Sequence, residues 1–167
     1  RHAGREVGRS VSVVVREPQL TDAGAVAAMH VAAWRETYGH LLPASYFTDE
    51  VAERRLRMWT QILSDRRPAH AVRIAEEDDE LIGFAMSGES DAGGRQLYML
   101  YVLAAHHGTG PGQALFEAVL ADGPASLWVA RENPRAIAFY RRNGFAFDGA
   151  EQSDPGTPGI VEARMVR

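Results

Sequence analysis

No cysteine occurs anywhere in the 167-residue chain, which excludes a disulfide framework, a thiolate zinc site and a cysteine nucleophile. A reducing compartment suits such a chain. Nor is there a surplus of positive charge, since 18 Lys and Arg stand against 22 Asp and Glu for a net −4. Nucleic-acid binders neutralise phosphates with a basic excess, so no nucleic-acid partner is expected. The short clusters Arg54, Arg55, Arg57 and Arg141, Arg142 read as solvated helix faces. No apolar run approaches the length of a membrane span, and the opening RHAGREVGRS lacks the apolar stretch of a secretory signal. The expectation is a cytoplasmic protein with no membrane partner. Because the sequence starts at Arg1 and not at Met, residues 1–10 are expected to be unstructured or foreign to the native chain. Residues 11–167 contain no repeat, linker or low-complexity tract and are expected to form one domain, long enough to bury roughly 70% of its unfolded surface.

What is present alternates between two periodicities. The β-branched run Val11–Arg16 reads as a strand. Thr21 or Asp22 then caps a helix with Val26, Met29, His30 and Ala33 at helical spacing, ending near Tyr38 where Gly39 breaks it. Pro43 opens a short turn. Thr48 or Asp49 caps a second helix with the stripe Val51, Leu56, Trp59 and Leu63. His70–Glu76 and Leu81–Ser87 form a hairpin around an acidic turn, and Gln96–Leu103 is apolar enough for a central strand covered on both faces. A helix from Gly112 to Asp122, a strand from Ser126 to Ala130, a helix from Asn133–Pro134 to Arg142, and strands Phe145–Glu151 and Ile160–Val166 complete one α/β unit.

The chemistry concentrates at two places. His107-Gly108-Thr109-Gly110-Pro111-Gly112 joins a buried strand to a helix, where closely spaced glycines let backbone N–H groups curl around an anion at the positive end of the helix. A P-loop would need Gly-Lys-Ser/Thr, but Gln113 follows Gly112, which disfavours ATP. A dinucleotide turn would follow the first strand, and this one lies past mid-chain, which disfavours NAD. One strand downstream, Asn133 and Tyr140 lie two turns apart on the same side of a helix. Alone, Asn133 also reads as a helix cap and Tyr140 as a core aromatic.

Taken together, LYMLYV, HHGTGPG and NPRAIAFYRRNGF resemble the GNAT N-acetyltransferase superfamily, with the specific likeness covering about Gln96 to Phe145. The family motif of Gln or Arg, two residues, Gly, one residue, Gly or Ala falls on His107, Gly110 and Gly112. The resemblance implies an α/β acyl-CoA N-acyltransferase fold, with helices on both faces of a mostly antiparallel mixed sheet whose central parallel strand pair splays. It further implies that acetyl-CoA is the co-substrate and that an amine of a small molecule or peptide is the acceptor. Amides from Gly108 through Thr109 and Gly110 to Gly112 and Gln113 would hold pyrophosphate, with His107 a possible further donor. Val102 and Asn133 would contact pantetheine, the Leu100 amide would face the thioester oxygen, and Tyr140 would protonate the leaving thiolate. Trp34, Glu36 and Tyr38 resemble a segment lining the acceptor site in some members, and Tyr98 is counted with them as a candidate acceptor-binding residue. A coenzyme A-binding domain without turnover is the rival reading, and a homodimer is left open.

Three departures accompany the likeness. His107 stands where Arg or Gln is usual, Pro111 has no N–H to give, and Gln96 and Trp128 occupy the positions at which some members carry a glutamate base. The base is left among Glu36, Tyr98 and a water chain. Without a Cys or a GxSxG elbow, direct transfer in a ternary complex is expected. No metal is expected, because adjacent His106 and His107 cannot both face one ion, and both read as surface residues.

Overall fold

The computed structural model describes residues 12–167, so the expectations for residues 1–10 and for Val11 lie outside the described residues. Strand β1 (Val13–Arg16), a 3-10 turn at Leu20–Asp22 and helix α1 (Ala23–Tyr38) are followed by a second 3-10 turn at Ala44–Tyr46 and α2 (Asp49–Ser64). Next come β2 (Ala71–Glu77), β3 (Glu80–Glu89), β4 (Arg95–Val102), a third 3-10 turn at Ala104–His106 and α3 (Pro111–Val119). The chain ends with β5 (Ala125–Ala130), α4 (Pro134–Arg142), β6 (Ala146–Ser153) and β7 (Val161–Val166).

Local chemistry explains most boundaries. Thr48 Oγ1 accepts the Val51 N–H at 3.4 Å and caps α2. Asp22 does not cap α1, contrary to expectation: its carboxylate accepts the Gln19 N–H at 2.7 Å and the Arg16 guanidinium at 2.9 Å. Arg16 also reaches Glu76 on β2 at 2.6 Å, which pins the edge strand to its neighbour. Asp78 and Asp79, at φ of 50° and 63°, make the two-residue turn between β2 and β3. Short polar side chains tolerate that left-handed backbone, and it matches the strand twist. Leu56 is exposed and lies outside the buried stripe of α2, because five residues on from Val51 is about 140° around the helix; Arg55 takes the inner position instead, over the Trp34 ring at 5.1 Å. Helix α3 stops at Val119, three residues short of expectation, because Leu120 turns extended to bury its side chain.

The seven strands form one sheet in the order β1-β2-β3-β4-β5-β7-β6. Only β4 and β5 run parallel. Helices α1 and α2 cover one face, with Val26, Trp59, Ile74 and Phe84 fully buried between them and the sheet. On the other face α3 and α4 pack Leu115, Phe116 and Tyr140 against Leu127 and Met165. This is the mixed, mostly antiparallel α/β sheet with helices on both faces. Strand β4 is not covered on both faces along its length: Leu97 is buried, and the residues after it are half-exposed. Among the described residues no helix is long and apolar enough to cross a membrane.

One polar pair sits inside the α1/α2 layer. Trp59 Nε1 donates to His30 Nδ1 at 3.0 Å, and both side chains are buried. The proton of the neutral imidazole is therefore on Nε2. Burial, with a smaller contribution from Arg55, lowers the His30 pKa to about 3. The unfolded chain takes up this proton near pH 6.5 while the folded chain does not, so the stabilisation is complete above pH 6.5 and is lost as pH falls toward 3. The unfolding midpoint should decline from pH 6.5 to 5, with a limiting slope of about 1.4 kcal/mol per pH unit from this residue. Denaturant titrations should show that part of the slope disappearing in His30→Gln, whose amide still offers Trp59 an acceptor.

Candidate functional site

Strands β4 and β5 pair at only three positions, Arg95 with Ala125, Gln96 with Ser126 and Leu97 with Leu127, and then separate. On the opposite edge β4 stays paired to β3 as far as Val102, with a bulge at Tyr98 that leaves this residue without a partner. The bulge changes the phase of the strand. Leu97, Leu100 and Val102 face the α3 layer, whereas Tyr98, Met99 and Tyr101 face the α1 layer. Leu103 donates its N–H to Ile82 O at 2.9 Å, so by alternation the backbone groups of Tyr101 point toward β3 and those of Leu100 and Val102 point away from it. They face the opening between the strands.

The opening is a cleft of about 550 Å³, lined by β4, by Trp128 and Val129 of β5 and the loop that follows, and by residues of α1, α3 and α4. At one end lies the glycine turn. Gly108 and Gly110 adopt φ of 77° and 104°, a backbone that other residues rarely take, and this conformation aims the turn at α3. Pro111 occupies the first helical position without a hydrogen to lose, while the N–H groups of Gly112 and Gln113 have no acceptor within the helix by position. Gly108, Gly112 and Gln113 line the cleft; Thr109 and Gly110 form the exposed outer side of the turn. The Gln113 side chain is tied to Asn143, with Nε2 to Oδ1 at 2.9 Å.

The two histidines are not free surface residues. His106 Nδ1 lies 2.8 Å from the Glu77 carboxylate, and His107 Nε2 lies 2.8 Å from Val102 O. A carbonyl only accepts, so His107 Nε2 carries a proton and its Nδ1 becomes a donor only when the ring is charged. Among the described residues no group of three or more His, Cys, Asp or Glu could hold a metal ion. Arg141 and Arg142 are exposed, as a solvated face requires, and Arg142 also borders the cleft with Arg135, its guanidinium 5.8 Å from the Phe139 ring. Arg141 likewise covers Phe147 at 5.4 Å.

Asn133 caps α4, with Oδ1 accepting the Ala136 N–H at 3.2 Å, and its side chain still borders the cleft. Tyr140 is buried on the inner side of α4 and borders it too. Burial pushes the Tyr140 phenol well above its ordinary value, and the Tyr38 phenol adds to the shift. Tyr38 is raised by its own burial, with the Tyr101 hydroxyl and the Asn133 amide acting in the opposite sense. Tyr101 is raised by burial, then by Tyr38 and Tyr140. All three are neutral phenols at physiological pH. Sequence reasoning missed Tyr101, since a simple alternation along β4 gives no sign of the bulge that sets its side relative to Leu97.

Of the four candidate acceptor residues, Glu36, Tyr38 and Tyr98 line the cleft and Trp34 stands behind it, stacked on Tyr46 and against Tyr38. Glu36 accepts the Ala104 N–H at 2.7 Å. The Tyr98 hydroxyl donates to the Glu89 carbonyl, and its ring lies over Gly88, where a Cβ would sit 2.6 Å from Tyr98 Oη. The Glu36 Oε1 atom has no hydrogen-bond partner among the described residues.

The profile of the acetyltransferase (GNAT) family matches residues 30–145. An uncharacterized N-acetyltransferase of Mycobacterium tuberculosis is 36% identical over 106 residues, covering 60% of this chain and 68% of the relative. The uncharacterized N-acetyltransferase YuaI of Bacillus subtilis is 31% identical over 140 residues, 77% of this chain and 78% of that one. The crystal structure of PaiA N-acetyltransferase from Thermoplasma acidophilum in complex with coenzyme A superposes with a TM-score of 0.68 at 19% identity, covering 92% of this chain and 98% of that chain.

The parting of the strands has a direct readout. In amide hydrogen exchange Leu103 and Tyr101 should be protected by their bonds to β3, while Leu100 and Val102 should exchange about 100-fold faster or more. Equal protection at all four positions would mean that β4 and β5 stay paired in solution.

Proposed function

The chain belongs to the acetyltransferase (GNAT) family, and on that premise we propose that it transfers the acetyl group of acetyl-CoA to an amine of a small molecule or peptide. The observation that carries the reading is the unpaired stretch of β4 beyond Leu97, which leaves two backbone sites facing a cleft that ends at a helix N-terminus. The coenzyme A complex of the Thermoplasma relative supports the same choice of co-substrate.

The chain's own groups suit the substrate. The free N–H groups at the start of α3, with Gly108, receive the pyrophosphate, and this duty falls on the backbone because His107 Nε2 is committed to Val102 O. The Val102 N–H and the Asn133 amide contact pantetheine in this reading. When an amine attacks the thioester, negative charge grows on the carbonyl oxygen, and a fixed Leu100 N–H stabilises it more in the transition state than in the ground state. Tyr140, held neutral by burial, keeps a proton to give to the departing sulfur. Transfer is direct, because no cysteine is available to carry the acetyl group.

The test is thiol release from acetyl-CoA with a panel of small amines, aminoglycosides and peptides. Amine-dependent release is expected. Coenzyme A binding with no release from any amine would favour the binding-domain reading instead. Gly112→Val probes the cradle separately: a Cβ at this position meets Val102 and Phe139 at ordinary distances of 3.8 and 3.9 Å, so the fold should persist. Its methyl groups enter the cleft between those side chains, and the Kd for coenzyme A measured by calorimetry should rise by about tenfold or more, equivalent to roughly 1.4 kcal/mol.

A further inference from the structure

By alternation along the strand, the N–H groups that face away from β3 form a row on the open edge of β4: Leu100, Val102 and then Ala104. The first two are assigned to the cofactor. The third is taken by the protein itself, because Ala104 donates its N–H to Glu36 Oε2 at 2.7 Å. That bond fixes a carboxylate of α1 against the cleft, and its Oε1 atom has no hydrogen-bond partner among the described residues.

The charge of this carboxylate is not balanced by its neighbours. Arg35, next to it on α1, lies over the Phe47 ring and Arg55 lies over the Trp34 ring, each at 5.1 Å. No ion pair of Glu36 occurs among the described residues. His106 and His107, which also border the cleft, are turned to Glu77 and to Val102 O. Of the two arginines on α4, Arg142 stands by Phe139, whose ring would lie 3.9 Å from a Cβ at Gly112, so this cation belongs to the α3 end of the cleft. The second carboxylate of the cleft, Glu132, sits in the loop between β5 and α4 with no side-chain partner among the described residues.

Distance decides what Glu36 can do. The chain from Leu100 to Ala104 is extended, since Leu103 still bonds to β3, and four residues of strand span roughly 13 Å. A carboxylate held at Ala104 therefore lies about 10 Å from the Leu100 N–H, the group assigned to the thioester oxygen. Proton transfer needs an approach of about 2.6 to 3.2 Å, or one bridging water. Glu36 is too far away to be the base, and it is well placed for a second group on the same acceptor. Tyr101 lines the interval and faces the α1 layer, with Met99 just before it, an apolar surface that suits methylene groups.

Resting on the acetyl-transfer reading above, we propose that Glu36 selects the acceptor: its Oε1 binds the far ammonium of a linear aliphatic di- or polyamine whose near nitrogen takes the acetyl group. Glu132 attracts cations without setting a length, because no bond holds its carboxylate in place. Glu36 is exposed to solvent, so the preference it gives is modest, about fivefold, and weakens with salt.

Two measurements test the assignment, both made with alkane-α,ω-diamines of increasing length and the monoamine of equal length. NMR-monitored titration of the coenzyme A-bound protein reads binding alone, since that cofactor has no acetyl group to transfer. The diamine advantage should peak where the two nitrogens stand about 10 Å apart, and shrink at high salt. Glu36→Gln keeps an oxygen for the Ala104 N–H and removes only the charge, so this variant should stay folded and lose the peak, about fivefold in Kd. Glu132→Gln should weaken all the diamines together and leave the peak in place. In turnover the peak should appear in KM and not in kcat, as for a group that does not touch the reacting atoms. An advantage independent of length, a peak that survives Glu36→Gln, a peak removed by Glu132→Gln, or monoamines and uncharged peptides that bind as well as the best diamine would overturn the proposal. Length-dependent binding with thiol release from no amine would instead overturn the acetyl-transfer reading on which it rests.

Discussion

Because β4 and β5 share only three residue pairs, two stretches of backbone in the middle of the sheet have no ladder partner, and a buried strand edge without partners is costly. The separation is made tolerable by what borders it. β4 remains paired to β3 except at the Tyr98 bulge, and β5 to β7, so beyond Leu97 each strand is held from one side only. The bulge at Tyr98 sharpens the local twist of β4 where the two strands part. Helices α3 and α4, which follow β4 and β5, then flank the gap and bring an N-terminus and a capped asparagine to it. The Leu100 and Val102 backbone, the start of α3 and Asn133 all border that one interruption.

The face of α1 carries the other half of the arrangement. Val26, His30, Trp34 and Tyr38 recur every four residues, so they lie along one line of the helix. Val26 and His30 are buried in the core with Trp59 and Phe84, Trp34 packs on Tyr46, and Tyr38 reaches the cleft. A hydrophobic core thus grades into a polar aromatic cluster without a break in packing. Tyr38 inherits its fixed position from residues that have no chemistry of their own. The exchange of Asp22 from a helix cap to a clamp on Arg16 belongs to the same economy, since it ties the entry of α1 to the sheet.

The departures from the family motif have local structural consequences. His107 supports Val102 and gives up its Nε2–H to do so, and the amides of Gly112 and Gln113 lie just beyond Pro111 at the start of α3. Those amides are fixed dipoles and need no titration to be active. The phenols are likewise kept neutral chiefly by burial, with Tyr38 adding to the shifts of Tyr101 and Tyr140.

The order of strands and helices was legible in the sequence because periodicity, caps and glycines are local signals. The turn from His107 to Gly112 and the pair Asn133 and Tyr140 stand out for the same reason, and they carry the family likeness. Tertiary structure decided everything that depends on residues far apart in the chain. The length of the β4·β5 pairing, the bulge that places Tyr101 beside Tyr38, the contact of His107 with Val102 and the capture of Glu36 by Ala104 have no local signature. Leu56 shows the limit from the other side: its hydrophobicity suggested a core position, but the helical angle places it on the surface. Sequence alone determined which groups are available and which segments hold them; packing decided which of those groups already have partners and which still face the cleft.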